Sequence, residues 1–163
     1  MNSETTQKKW TWTSPYPVHS YEVDARGKVS LPTICKLMQE TAYRHAHHLG
    51  FGYHQLKEKN LFWVLARLLI KMYQYPQWGE TVQIRTWPSG VERLLAFRDF
   101  LILNEQGARL GAAGSAWLML DVEKRRPQRP DELRDRIKLL PAERALEERP
   151  GKIPPLSEFH PGT

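Results

Sequence analysis

A few side chains in this sequence have the type and placement to do chemistry: Asp24, Cys35, Glu40, His45 and the arginines of "EKRRPQRP" (123–130). Asp24 closes an extended stretch just ahead of a helical one. That place suits a turn aspartate that accepts backbone hydrogen bonds. Glu40 falls across the helix from Met38 and His45, so it either faces a second protomer or pairs with Arg44 four residues on. His45 sits on the apolar face, as a neutral core histidine or as a group that polarises a substrate. His47 lies on the other side of the helix, so His45, His47 and His48 cannot share one ion and no metal is expected. Cys35 is on the apolar stripe without a basic neighbour in sequence and reads as a small core hydrophobe, not as a thiolate.

These residues need elements to hold them. "YPVHSYEVD" (16–24) alternates enough for a first strand, and "DARGK" turns the chain at Gly27. Ser30 is a candidate N-cap, and Pro32 is equally consistent with a helix start at Leu31. Helical spacing then puts Leu31, Ile34, Cys35, Met38, Thr41, Ala42, His45 and Leu49 on one face, with Gly50 and Gly52 as the stop. Four strands are predicted next, over 60–75, 81–87, 93–103 and 108–122, with "PSG" (88–90) as a turn and "NEQG" (104–107) as a hairpin loop. This order gives an α+β domain in which a curled antiparallel sheet wraps one long helix. The near-bulkless "GAAGSA" (111–116) is where the helix is expected to approach the sheet, so Leu at Ala112 or Gly114 should clash with it. Residues 1–14 read as a flexible N-terminus, 15–139 as the domain, and 140–163 as a proline-rich linker or tail, with short helices possible over 130–148.

The totals agree with a single soluble domain: 163 residues, 40% hydrophobic and 26% charged. "MNSETTQKKW" has no apolar stretch behind its lysines, and "LFWVLARLLI" (61–70) is too short to cross a bilayer. One cysteine does not suggest an exported disulfide framework, so a cytoplasmic location is the expectation. Much of the excess behind the net charge of +6 clusters in the 123–138 region, interrupted by Glu123, Asp131, Glu132 and Asp135, without strand or helix signatures of nucleic-acid recognition. A solvated basic surface or a docking face for an acidic partner accounts for it.

Four segments, "YEVD", "LMQETAYRHAHHLG", "NLFWVLARLLIKMYQYPQWGETVQIRTW" and "SAWLMLDVEKRRPQRPDELR", carry a resemblance. They are similar to the first half of the acyl-acyl carrier protein thioesterases, from about Tyr16 to Ile137. "QET" on the helix, "NLFWV" opening a strand, "YPQWGETV" at the next turn and "KRRP" after the last strand occur in the family's order. The resemblance implies a hot-dog fold and a cytosolic or plastid hydrolase that releases free fatty acid from the acyl carrier protein thioester, without a cofactor. It further implies two hot-dog repeats, the first forming the acyl groove and the second carrying an Asp-x-Asn-x-His run. Here the corresponding run reads Asp24-Ala25-Arg26-Gly27-Lys28, which keeps only the aspartate, and the chain ends at Thr163 about where a second repeat is expected.

On that resemblance, Asp24 is the lead base or nucleophile, as a carboxylate there is in single-repeat hot-dog enzymes. Glu40 assists from a dimer interface, and His45 is a third catalytic candidate. Met38, Thr41, Ala42, Trp63 and Leu65 are the expected acyl slot. Arg125, Arg126 and Arg129 are the expected docking patch for acyl carrier protein or the phosphate of its carrier arm; acyl-CoA is the other possible thioester. The alternative is an acyl-binding domain whose missing repeat carried the chemistry, or a regulatory dimer that binds without turnover. Strand 93–103 is apolar on both faces, so its second face or its edge is expected to be covered by a partner, in a homodimer.

Overall fold

The computed structural model describes residues 10–137 and 143–154. Its elements are β1 (Trp12–Pro17), one 3-10 turn (Ser20–Glu22), α1 (Leu31–His48), α2 (Tyr53–Lys57), β2 (Leu61–Met72), β3 (Thr81–Glu92), β4 (Leu95–Leu103), β5 (Arg109–Asp121), β6 (Pro127–Gln128) and α3 (Asp131–Ile137). The strands form one antiparallel sheet in the order β1-β3-β4-β5-β2, with β6 paired to the end of β5. A strand, a long helix, a strand at one edge of the sheet and then the meander β3-β4-β5, whose last strand pairs with β2 and whose first pairs with β1, is the α+β hot-dog arrangement.

The helix forms where the sequence signals it. The Ser30 side chain accepts from the Thr33 amide at 3.3 Å, and Pro32 occupies the first turn, where its missing N–H costs nothing. At the other end Gly50, at φ +83, lets its amide reach the His47 carbonyl (3.1 Å) and the Phe51 amide reach that of Ala46 (2.8 Å). This pairing satisfies the last carbonyls and throws Phe51 back under the helix. Ile34, Met38 and Ala42 pack on Val82 and Ile84 of β3, Phe100 and Ile102 of β4, and Ala113 of β5. Lys36, Glu40, Arg44 and His47 stay exposed, so this chain covers the helix on one face. Leu31, expected on the covered face, is 42% exposed.

Three local readings shift. The first strand lies at Trp12–Pro17 and not at 16–24, because Ser20–Glu22 makes a turn instead of extending. This places residues 12–14 of the expected flexible terminus in the sheet; residues 1–9 lie outside the described residues. Second, "PSG" does not turn the chain. β3 runs through Pro88 and takes up Gly90, at φ +145, as a register shift against β4, and the turn falls at Arg93, at φ +54. "NEQG" does make its hairpin, with the Asn104 amide donating to the Ala108 carbonyl at 2.9 Å.

The third concerns the small residues of β5. Ala113 meets the helix side, but Ala112 lies on the opposite face with Trp87, Ala145 and Leu146. A side chain added at Gly114 would also meet that face, its Cβ 3.4 Å from Pro150 Cδ. The sheet is therefore close-packed there against the chain's own segment 143–150, not against α1. That segment is held by Trp87 Nε1 donating to the Glu143 carbonyl (2.9 Å), by the Ala145 amide donating to Asp99 Oδ2 (2.7 Å) and by a Lys71–Glu148 ion pair. Arg149 lies 3.9 Å from the centre of the Phe97 ring. So the second apolar face of β4 is covered within the chain, and part of the expected tail is core.

Candidate functional site

A cavity of about 370 Å³ opens beneath the C-terminal half of α1. Ala42 and Ala46 of α1 leave the space, since neither projects past its Cβ. Phe51, delivered by the helix stop, and Leu56 of α2 close one side. Trp63 of β2, Ala96 of β4, Trp117 of β5 and Leu133 of α3 supply the rest of the apolar wall. The exposed rim is aromatic: Tyr43, Tyr53 and Phe62. Both indole N–H groups are already used, Trp63 Nε1 on the Phe51 carbonyl (3.0 Å) and Trp117 Nε1 on Ser115 Oγ (2.8 Å). Such a wall accepts an aliphatic chain and offers it few polar contacts.

Among the expected acyl-slot residues, Ala42 and Trp63 line this cavity. Met38 is sealed in the core under α1, and Thr41 is buried with its hydroxyl on Tyr16 (2.9 Å) and the Leu37 carbonyl (2.7 Å). Leu65 is 41% exposed on β2, away from the cavity. Met38 and Thr41 lie elsewhere because their side chains point into the packed core between α1 and the sheet, whereas the slot opens beside Ala42 and Ala46.

The expected catalytic groups are not brought together at the cavity. Asp24 is exposed, and its Oδ1 accepts from the amides of Arg26 (2.8 Å) and Lys28 (3.0 Å) in its own loop. Those bonds, the Lys28 amide first, hold its carboxyl below the ordinary value. Glu40 is exposed and bonded to Arg44 Nε at 2.7 Å, the i,i+4 pairing. Burial pushes the Cys35 thiol up, against thiolate chemistry. Among the described residues no three His, Cys, Asp or Glu side chains converge as metal ligands.

His45 has no exposed surface. It stacks on Trp12 of β1, with centroids 6.0 Å apart, and its Nδ1 accepts from Arg98 Nη1 at 3.0 Å. Arg98 Nη1 also donates to Thr86 Oγ1 at 3.2 Å, and that hydroxyl in turn donates to the Asp99 carbonyl at 2.9 Å. Arg98 is the group sequence reasoning missed. It forms part of the cavity wall, and burial pushes its guanidinium down to about 10, which leaves it charged at neutral pH. "AFRDF" offers one signal, a charge at a position whose strand neighbours two residues away, Ala96 and Phe100, point inward.

Arg125, Arg126 and Arg129 are exposed around the β5–β6 turn. Arg129 shares a second, basic cleft with Arg93, Leu94 and Arg134.

An antiparallel sheet carrying one long helix, with an apolar cavity under that helix, defines a hot-dog domain of the thioesterase kind. The model of the acyl-ACP thioesterase N-terminal domain matches residues 9–137, and the chain belongs to the acyl-ACP thioesterase family. It is 34% identical over 134 residues to oleoyl-acyl carrier protein thioesterase 2, chloroplastic, of Arabidopsis thaliana, covering 77% of this chain and 36% of that one. It is 36% identical over 130 residues to palmitoyl-acyl carrier protein thioesterase, chloroplastic, of Gossypium hirsutum, covering 75% of this chain and 32% of that one. An acyl-ACP thioesterase from Bacteroides thetaiotaomicron superposes with a TM-score of 0.82 at 27% identity, over 94% of this chain and 61% of that one. The chain thus spans about a third of the length of the curated relatives it matches.

Proposed function

We propose that this chain binds the acyl group of a fatty-acyl thioester, carried on acyl carrier protein or CoA, and serves its hydrolysis to free fatty acid and thiol. The observation that carries this reading is the apolar cavity of about 370 Å³ in a chain of this family. The relatives named for oleoyl- and palmitoyl-acyl carrier protein support a long-chain acyl group on that carrier. The exposed Arg125, Arg126 and Arg129, with Arg93 and Arg134 beside them, support docking of an acidic carrier. A cytoplasmic setting is part of the proposal, supported by the free thiol of Cys35.

Association with a second hot-dog unit completes the reading. Among the described residues β2 is paired on one side only, to β5, and along it Phe62, Leu65 and Leu68 are 36%, 41% and 37% exposed. An apolar strand edge of this length invites pairing. The unit across it is a second copy of this chain or a following repeat.

A second reading has its own support: an acyl-binding unit whose base comes from that other unit. Hydrolysis needs a base on water next to the thioester carbon, and the carboxylates of Asp24 and Glu40 are engaged in their own loop and helix. Thiol release from an acyl carrier protein panel tests both. Turnover supports the first reading, acyl binding without turnover leaves the second, and neither binding nor turnover by the folded protein overturns both.

A further inference from the structure

We infer that the cavity under α1 is a site for an aliphatic chain that ends in a carboxylate, with the carboxylate seated on Arg98. Arg98 lies in β4 between β3 and β5, so its backbone is paired on both sides and the surface it retains is that of its side chain. The contacts of Nη1 with His45 and Thr86 turn that side chain to the helix side, where it joins the cavity wall. Both partners are neutral acceptors. Among the described residues no carboxylate pairs with Arg98, and Nε and Nη2 meet no acceptor. The adjacent Asp99 points to the opposite face, where Ser89 and the Ala145 amide use its oxygens.

A cation kept in apolar surroundings without a counter-ion is costly, and the lowered value of about 10 reflects that cost. It is also held in place, because two bonds fix Nη1 while the remaining donors stay available. A planar guanidinium so placed matches the two oxygens of a carboxylate. With the indole N–H groups of Trp63 and Trp117 already satisfied, the buried wall holds no comparable donor among the described residues. An apolar slot with one fixed cation selects a long apolar anion over a neutral chain of equal length.

The same chemistry has two sources: a free fatty acid, or the distal carboxylate of a dicarboxylic acyl thioester. Binding of dodecanoate and of dodecanol to the wild-type protein, followed by the fluorescence of the cavity tryptophans, is the test. Dodecanoate is expected to bind at least about ten-fold tighter than dodecanol, a preference that Arg98→Met removes. Equal affinity of acid and alcohol for the wild-type protein, or no binding of dodecanoate, overturns the inference. If Arg98→Met fails to fold, the wild-type acid-to-alcohol ratio decides alone. In a second arm, ω-carboxyundecanoyl-CoA is compared with dodecanoyl-CoA: tighter binding of the former assigns the dicarboxylic source, and equal binding beside a preference for dodecanoate assigns the free acid. No turnover is measured, so the outcome is independent of the hydrolytic reading.

Discussion

Arg98 Nη1 donates to Nδ1 of His45 across 3.0 Å, and the contact decides where the imidazole proton sits. A guanidinium can only donate, so Nδ1 holds the lone pair and the proton is on Nε2. His45 therefore does not serve as a base through Nδ1; it positions the guanidinium.

The first expected outcome follows from that geometry. In nitrogen-detected spectra at neutral pH, His45 Nδ1 should resonate as an unprotonated ring nitrogen and Nε2 as a protonated one. Arg98→Met should change that pattern, since it removes the donor. A protonated Nδ1 in the wild-type protein would contradict the assignment.

Asp24 offers a test by pH. The Lys28 and Arg26 amides hold its carboxyl below the ordinary value of 3.8, so the folded loop favours the carboxylate form. Its contribution to stability is complete above 3.8 and is lost as pH falls through the lower native value. Asp24→Ala should melt below the wild-type protein at pH 7, with the gap closing in stronger acid, and should leave acyl-chain affinity unchanged. A gap that persists in acid, or lost acyl binding in a folded variant, would refute this role.

The outer face of the sheet gives a third outcome. A leucine at Gly114 extends past a Cβ that already lies 3.4 Å from Pro150, and should cost about 1–3 kcal/mol in denaturant unfolding. The disturbance should appear as faster hydrogen exchange at the Ala145 amide, not in α1. Exchange that rises along α1 instead would restore a clash with the helix.

How far the sequence reaches depends on whether a signal is local. Ser30, Pro32 and the spacing of Ile34, Met38 and Ala42 are contiguous, so α1 could be read to its bounds, and the family motifs fixed the fold class. "PSG" misleads because Pro and Gly usually break strands, whereas here Pro88 is buried within β3 and Gly90 absorbs the register shift. The "RALEERP" stretch reads as linker because nothing local says that Ala145 and Leu146 meet Trp87, nearly sixty residues earlier in the chain. At the site, Ala42 and Trp63 were legible, but Arg98 was not. Its meaning comes from His45 on another element, brought to it only by the packing of α1 on the sheet.

The central claim is that the space left by Ala42 and its neighbours holds an acyl chain. The most direct measurement is the affinity of wild-type protein and a folded Ala42→Phe variant for a non-hydrolysable dodecanoyl thioester analogue. Ala42 lines the cavity, so the added benzyl group takes up its space, and affinity is expected to fall by about ten-fold or more in the variant that remains folded. Unchanged affinity in the folded variant would place the acyl chain elsewhere.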